Sequence, residues 1–331
     1  MEKFIESLPK TETHLHIEGA IPWELFEERF PGQFPKVPEF RKPEYRYDSF
    51  AQFESILIDH ALRIIKQPSD YSEIARRIFQ NHIEQNVRYV ELSFHAGIIE
   101  FLQMPGKEII EAIRSAVPAG LEVRVFMGMS RNSYSDYLGS TLEDAVANWE
   151  GLHGIDLHGP EDLPVLDWVP RLWQVARANG RILKAHAGEF GPADNVRWVV
   201  QNLGVKRIQH GIHASNEEEV MNLLANEAVT LDICPISNYK LSIFDRWENY
   251  PIRQFLNRGI RCTISTDDPL SFANRLPDEY LALHREMNFS ATELAQLARA
   301  GFEVADLPEN EKITHLNEID RLLTVELKGV V

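Results

Sequence analysis

The chain has 331 residues, of which 44% are hydrophobic and 25% charged, a composition typical of a globular protein and too apolar for a disordered one. Its 50 acidic residues outnumber 34 lysines and arginines, and the resulting net charge of −16 argues against nucleic acid or an anionic membrane as a partner. Two cysteines, Cys234 and Cys262, cannot form a disulfide scaffold or a cysteine zinc cage.

The sequence also carries no sign of membrane insertion or export. No stretch approaches the roughly 18 consecutive apolar residues that a membrane helix needs. Acidic residues interrupt the first ten positions, which therefore lack the apolar core of a signal peptide. We expect a cytoplasmic protein.

Short apolar runs that end in polar residues alternate with segments of helical period. The eight runs are Thr13–Ile17, Tyr89–Phe94, Val123–Met129, Gly154–Leu157, Ile182–Ala185, Arg207–Gln209, Val229–Ile233 and Cys262–Ser265. Because parallel strands need a crossover between them, this alternation predicts a single TIM-type (β/α)8 barrel domain over residues 1–331. Ser215 and Glu218 predict a capping box at the start of one helix, and the helices after Pro277 are expected to complete the outer layer.

The connection after the first run is unusually long. Roughly 70 residues separate it from the second run, far more than an ordinary loop. After a proline-rich passage comes an amphipathic helix around Phe50 and Phe53, with Ile56 and Leu57. An insertion at about 20–88 would lie over the carboxyl face of the barrel, where active sites of this fold lie. A substrate lid and peripheral decoration are both open interpretations.

Several predicted strands end on residues that bind metals or transfer protons. These residues are His14 and His16 at the first strand, His186 at the fifth, His210 at the sixth, and Asp267 with Asp268 at the eighth. A lone His-x-His pair is more typical of core or solvated histidines. In a barrel, however, the carboxyl ends of distant strands converge on one cavity. The combination therefore predicts a shared metal site.

Three histidines and one carboxylate are a donor set that suits Zn²⁺ and leaves room for a water molecule. The predicted ligands are His14, His16, His186 and Asp267. Zinc lowers the pKa of bound water to about 7, which points to metal-assisted hydrolysis. Asp267 could take the water's proton and His210 could orient the attacking oxygen. Glu189 could be the acid if burial raises its pKa, and Asp268 is expected to contact the substrate.

Six motifs, taken together and in order, resemble those of the adenosine/adenine deaminase family, which are zinc hydrolases of the amidohydrolase superfamily. The motifs are Thr-His-Leu-His-Ile-Glu-Gly (13–19), Gly-Ile-Asp-Leu-His-Gly (154–159), His-Ala-Gly-Glu (186–189), Gln-His-Gly (209–211), Cys-Pro-Ile-Ser-Asn (234–238) and Ser-Thr-Asp-Asp-Pro (265–269). The resemblance implies a barrel fold, one Zn²⁺ and a small-molecule purine base or nucleoside as substrate.

The family pattern implies a role for each matching residue. The metal ligands would be His14, His16, His186 and Asp267. Glu189 would carry a proton to purine N1, and His210 would orient and stabilise the attacking hydroxide. Asp268 would bond N7, and the amide of Gly159 would bond N3. Hydroxide would add at C6 and ammonia would leave.

The motifs conflict on the substrate. Glu18 stands where adenosine deaminases usually carry an aspartate that meets the ribose hydroxyl. His-Ile-Glu-Gly and Cys-Pro-Ile-Ser-Asn are more similar to the branch acting on free adenine. Gly-Ile-Asp-Leu-His-Gly is more similar to the nucleoside branch. One methylene in a pocket changes a preference by about 1–3 kcal/mol. We expect adenosine to be deaminated to inosine. Adenine, or a modified nucleoside such as aminodeoxyfutalosine, is the alternative, whereas a non-catalytic purine-binding relative is disfavoured.

Further residues near the strand ends are less informative. His158 could equally line the pocket or be structural. His95 and His213 lie just past strand ends and could contact substrate, but we expect solvated loop histidines there. Ser237 and Asn238 are expected to brace the site. The oligomeric state cannot be predicted from these patterns.

Overall fold

The computed structural model describes residues 1–131 and 135–329, and its centre is one sheet of eight parallel strands that follow chain order. The strands are β1 (Lys10–His16), β2 (Val87–His95), β3 (Glu122–Ser130), β4 (Leu152–His158), β5 (Ile182–Ala187), β6 (Arg207–His210), β7 (Thr230–Ile233) and β8 (Arg261–Ile264). Each predicted run overlaps one of them. The prediction of a TIM-type barrel is confirmed.

The segment after β8 returns to β1 and brings the two edges of the sheet together. Leu15 and Asp267 form a parallel bridge. Beside it, the amide of His16 donates to the carbonyl of Asp267 at 3.2 Å, and the amide of Asp267 donates to the carbonyl of His14 at 3.1 Å. The barrel seam therefore fixes the backbone of three predicted site residues relative to one another.

Helices surround the barrel. They are α1 (Glu2–Ser7), α2 (Trp23–Arg29), α3 (Phe50–Ile64), α4 (Pro68–Glu84), α5 (Gly97–Phe101), α6 (Gly106–Ser115), α7 (Asp136–Asn148), α8 (Trp168–Ala178), α9 (Ala193–Trp198), α10 (Glu218–Asn226), α11 (Pro235–Lys240), α12 (Ile252–Asn257), α13 (Pro269–Phe272), α14 (Leu276–Met287), α15 (Ala291–Val304) and α16 (Glu309–Gly329). As expected, α14 to α16 add to the outer layer, where α15 packs on β1 and β8 and α16 packs on α15. Within the described ranges no helix combines the length and the apolarity needed to cross a membrane.

The predicted capping box before α10 is wrong. Ser215 lies in a 3₁₀ helix, Ile212–Asn216, and its hydroxyl donates to the carbonyl of Ile212 at 2.9 Å. Because that hydroxyl is committed to the preceding turn, it does not cap α10, whose N-cap residue is Glu217.

The long connection after β1 contains α2, α3 and α4, and the predicted amphipathic helix is α3. Ser49 caps α3, since its hydroxyl accepts the amide of Gln52 at 3.2 Å. Phe53 stacks on Phe272 of α13, with ring centroids 5.4 Å apart. The insertion therefore packs against α13, the short helix that follows β8, at the carboxyl end of the barrel.

Four buried charged side chains fill the lower part of the barrel interior. Lys184 contacts the carboxylate of Glu91 and lies 3.5 Å from Asp232. Arg207 donates to Asp232 at 2.9 Å and to Glu91 at 3.1 Å. Two cations balance two anions, which is the condition under which charges are tolerated away from water. The backbone carbonyl of Asp232 lies 3.3 Å from Nδ1 of His14, so this layer supports a predicted ligand.

Candidate active site

The four predicted metal ligands converge at the carboxyl end of the barrel. Nε2 of His186 lies 3.1 Å from Nε2 of His14 and 3.3 Å from Nε2 of His16. Oδ1 of Asp267 lies 3.2 Å and 3.3 Å from the same two nitrogens. Ligand bonds of about 2.0–2.1 Å around a tetrahedral Zn²⁺ place neighbouring donor atoms about 3.3–3.4 Å apart. The spacing and the donor set therefore fit one such ion.

Polar side chains lie against Nδ1 of two of these histidines. Nδ1 of His16 is hydrogen-bonded to the hydroxyl of Ser93 at 2.9 Å, and such a bond fixes the tautomer and raises the basicity of a metal-binding imidazole. Nδ1 of His186 lies 3.0 Å from Oδ2 of Asp156, but within residues 1–131 and 135–329 the geometry of this contact is not that of a hydrogen bond. Neither Ser93 nor Asp156 was predicted as a site residue.

His210 has a tautomer that the structure fixes through two further side chains. The hydroxyl of Tyr250 donates to Oδ1 of Asn238 at 3.0 Å, so the amide nitrogen of Asn238 faces Nδ1 of His210, also at 3.0 Å. Nδ1 must therefore accept, and the ring proton lies on Nε2. Nε2 lies 3.4 Å from Oε1 of Glu189 and 3.8 Å from Oδ2 of Asp267. Burial lowers the pKa of His210 well below its usual value, so the ring is a neutral donor.

The two carboxylate oxygens of Asp267 have different neighbours. Its Oδ1 lies among the histidines, whereas Oδ2 accepts the hydroxyl of Ser237 at 2.7 Å. The bracing roles expected of Ser237 and Asn238 thus correspond to contacts with Asp267 and His210. Asp267 and His210 have left-handed backbones, with φ of 67° and 64°. This conformation is uncommon for residues other than glycine and is concentrated at functional sites.

Glu189 is buried beside His210. Burial raises its pKa well above the usual carboxyl value, and the charges of Asp267, Glu161 and Asp268 raise it further, against an opposing effect of Arg131. A carboxyl group with a raised pKa keeps its proton near neutral pH and can donate it. The condition that the sequence analysis attached to Glu189 is met.

Glu161, which sequence analysis missed, holds the turn that carries Glu189. Its Oε1 accepts the amides of Glu189 at 2.7 Å and Phe190 at 3.0 Å. Its Oε2 accepts the amide of Gly188 at 2.7 Å and the side chain of Asn195 at 3.1 Å. One buried carboxylate thus receives three hydrogen bonds from the loop after β5 and one from α9. Because three of the donors are backbone groups, no motif in the sequence marks this contact.

We expect Glu161→Gln to lower kcat by about 10- to 100-fold without changing the metal content. The amide group of glutamine would place a donor against two existing donors, and the loss of charge-assisted bonds costs about 1.5–3 kcal/mol. Steady-state kinetics and metal analysis test this, with Glu219→Gln, an exposed position on α10, as control. Unchanged kcat would show that Glu161 does not position Glu189.

A cavity of about 670 Å³ opens beside the ligands. All nine predicted site residues contribute to it or to the ligand group directly beneath it. Apolar residues of α3 form part of its wall; they are Phe50, Phe53, Leu57, Ile58, Ala61 and Leu62. A cavity of this size that combines an apolar wall with converging polar groups is typical of a small-molecule site.

The three predicted substrate contacts, Glu18, Gly159 and Asp268, line this cavity. The carboxylate of Glu18 accepts the hydroxyl of Tyr71 at 2.6 Å and the amide of His95 at 3.1 Å. Gly159 has φ of 88°, and a Cβ there would lie 2.3 Å from Oγ of Ser130, so glycine is required. These residues are therefore held at fixed positions around the cavity.

The prediction that His95 is a solvated loop histidine is wrong, and His158, for which a pocket-lining and a structural role were both open, lines the cavity. His95 is the last residue of β2 and lines the cavity, so it is not a solvated loop histidine. His213 lies outside the set of cavity residues, and its Nδ1 is 2.9 Å from the carbonyl of Gly191.

Comparisons with known proteins agree with this geometry. A family model described as adenosine deaminase matches residues 9–322. An adenine deaminase of Hahella chejuensis is 30% identical over 336 aligned positions, covering 98% of this chain and 99% of that protein. The structure of an adenine deaminase from Arthrobacter aurescens is similar with a TM-score of 0.86 and 25% identity, covering 96% of this chain and 99% of that one. An amidohydrolase from Burkholderia ambifaria, solved with bound zinc, shares the fold with a TM-score of 0.82 and 21% identity, covering 98% and 94% of the two chains.

These matches extend over nearly the whole chain and fit a hydrolytic deaminase that acts on a purine C–N bond. The four converging ligand atoms agree with the metal dependence of amidohydrolase-type deaminases. With its barrel, its four converging candidate ligands and a family model that matches residues 9–322, the chain belongs to the adenosine deaminase family.

Proposed function

We propose that the chain hydrolyses adenosine to inosine and ammonia at a centre that binds one Zn²⁺. The proposed ligands are His14, His16, His186 and Asp267. The observation that carries the proposal is the position of Glu189 and His210, a buried acid and a neutral donor 3.4 Å apart, beside the ligand atoms and at the wall of the cavity. This is the arrangement that water addition to an aromatic C–N bond requires.

The first part of the reaction is the delivery of water. When bound, zinc supplies a Lewis acid that brings the pKa of water to about 7. The Nε2–H of His210 is directed to hold the attacking oxygen by a hydrogen bond. The carboxylate of Asp267 is held by the hydroxyl of Ser237, and its Oδ2 lies 3.8 Å from Nε2 of His210. Because His210 holds the attacking water, Asp267 is placed to accept a proton from it.

Proton transfer to the ring makes the addition possible. Glu189 donates its proton to N1 as oxygen bonds to C6, so the ring charge is neutralised while C6 becomes tetrahedral. The second water proton then passes to the amino group, which leaves as ammonia. The C6–N bond breaks, a C6–O double bond forms, and N1 keeps the proton that Glu189 supplied. The proton that Asp267 accepted from the water returns to Glu189, which restores both groups for the next turnover.

Two further residues set the orientation of the ring. Oδ1 of Asp268 is buried and has no hydrogen-bond partner within residues 1–131 and 135–329. Burial, and then the charge of Asp267, raise the pKa of Asp268, so its protonated form can donate to N7, an acceptor. The amide of Gly159 would donate to N3. With N1, N3 and N7 each assigned, C6 is directed toward the metal ligands.

We also propose that the insertion at about 20–88 closes over the substrate as a lid within the single domain. Phe50 of α3 packs against Phe190, with ring centroids 5.2 Å apart, and Phe190 directly follows Glu189. Helix α3 thus contacts the loop of the proposed acid as well as the cavity. Exclusion of water from such a site strengthens its electrostatic interactions.

Free adenine is the second candidate substrate, because the relatives at 27–30% identity are named adenine deaminases and Glu18 matches that branch. The size of the cavity, whose apolar wall continues along α3, favours a substrate with a group on N9. The cytoplasmic location and the exclusion of nucleic acid and membrane partners stay predictions.

Ammonia release from adenosine, adenine, methylthioadenosine and aminodeoxyfutalosine by the zinc-loaded protein tests the assignment. We expect kcat/KM for adenosine to exceed that for adenine by about tenfold or more, since the N9 group adds contacts that adenine lacks. A preference for adenine would replace the primary candidate by the second. No ammonia from any of the four, at full zinc content, would overturn the proposed function.

A further inference from the structure

Two histidines that take no part in the reaction described above meet in the cavity wall. His95 ends β2 and His158 ends β4, and both line the cavity. Nδ1 of His95 lies 3.2 Å from Nε2 of His158, so the two rings are joined by a hydrogen bond. We call them the histidine pair. The ring centroid of His158 is 5.9 Å from that of His16, which places the pair beside the metal ligands.

Glycines make room for both rings. A Cβ on Gly97 would lie 2.6 Å from Nε2 of His95, and one on Gly128 would lie 2.9 Å from Nε2 of His158. Neither distance is compatible with an ordinary contact, so any larger residue at 97 or 128 would displace a ring. The backbone around the cavity is thus shaped to hold this pair of imidazoles.

The bond between the rings leaves each imidazole one further nitrogen. In such a pair one ring donates and the other accepts, so the two remaining nitrogens are one acceptor and one donor. One nitrogen of each ring serves the bond between them. The other, Nε2 of His95 and Nδ1 of His158, makes no hydrogen bond within residues 1–131 and 135–329.

The position of the pair relative to the purine follows from the covalent structure of the base. In the proposed orientation, N1 faces Glu189, N7 faces Asp268 and N3 faces the amide of Gly159. N9 is bonded to C4, which is bonded to N3, so the group on N9 leaves the ring at the Gly159 edge. His158 directly precedes Gly159, and His95 is hydrogen-bonded to it. The pair therefore borders the group on N9.

We propose that the histidine pair is a specificity-determining subsite that binds hydroxyl groups of a pentose on N9. A hydroxyl both donates and accepts, which matches the two nitrogens that the bond between the rings leaves. A phosphate fits poorly, because the carboxylates of Glu18 and Glu100 line the same cavity. This inference rests on the proposed function and names the part of the substrate that distinguishes a nucleoside from free adenine.

The test compares His158→Ala and His95→Ala with the wild type on adenosine and on adenine. We expect each variant to lose about tenfold in kcat/KM for adenosine, through KM, because a hydrogen bond to the sugar is lost. The kcat/KM for adenine should change less than about twofold, since adenine has no sugar hydroxyl that could bind to the histidine pair. His315→Ala, on α16 and outside the cavity, is the matched control. Zinc content and thermal unfolding establish that each variant is folded.

Deoxyadenosines identify the hydroxyl. The 2′-, 3′- and 5′-deoxy analogues are assayed with all four proteins. With the wild type, one analogue should give a lower kcat/KM than adenosine. With His158→Ala, that analogue and adenosine should give the same kcat/KM, because the contact is already absent. Equal losses for adenosine and adenine, or additive losses for every analogue, would overturn the subsite while the deaminase function stands. Failure of the wild type to release ammonia from either purine would instead overturn the proposed function. The His95→Ala variant keeps the test decisive if His158→Ala does not fold.

Discussion

Glu189→Gln is expected to lower kcat by about 10²–10⁴-fold, the usual contribution of a general acid, while the protein keeps its zinc. Glutamine nearly preserves the shape of the side chain but has no acidic proton for N1. The loss should fall on kcat more than on KM, because proton transfer occurs on the path to the tetrahedral carbon. Ammonia release and metal analysis on the same preparation measure both quantities.

The exposed Glu219→Gln variant controls for handling and should match the wild type. If Glu189→Gln retained a rate near that of the wild type, the proton at N1 would have another source. Loss of zinc in that variant would show that Glu189 supports the metal centre instead of the substrate.

Asp267→Ala is expected to lose both metal and turnover. It removes the one carboxylate among the four candidate ligands and leaves Nε2 of His186 at 3.1 Å and 3.3 Å from Nε2 of His14 and His16. Changes to groups that only support ligands weaken metal binding by about 10–100-fold, so removal of a ligand should exceed that range. Zinc per chain after dialysis, with ammonia release, is the measurement.

Alanine at position 267 must also adopt φ of 67°, which costs about 1 kcal/mol or more outside glycine, so Asp267→Asn is the companion variant. The exposed Asp245→Ala is the control. Full zinc occupancy in both variants at 267 would remove this residue from the ligand set.

The fold and the convergence of the four candidate ligands were predictable because, in a parallel barrel, the order of the strands along the chain determines their positions. Each strand ends at the same face, so His16, His186 and Asp267 meet although they are distant in sequence. Alternation along β1 placed His14 and His16 on one side. These inferences needed only strand positions, which apolar runs mark well.

The supporting contacts were not predictable, because they depend on where loops and backbone groups lie in space. Glu161 follows β4 but acts on the loop after β5, mainly through backbone amides that have no sequence signature. His95 was expected to be solvated, yet its strand extends to include it and Gly97 leaves space for its ring. The local sequence does not contain the partner that decides either role.

The proposed hydrolysis requires a single divalent cation among the four candidate ligand atoms. Anomalous diffraction from crystals of the zinc-loaded protein, recorded above and below the zinc absorption edge, locates that ion. We predict one peak per chain, about 2.0–2.2 Å from Nε2 of His14, His16 and His186 and from Oδ1 of Asp267. A peak elsewhere, two peaks in the cavity, or full occupancy by zinc without contact to these atoms would contradict the account.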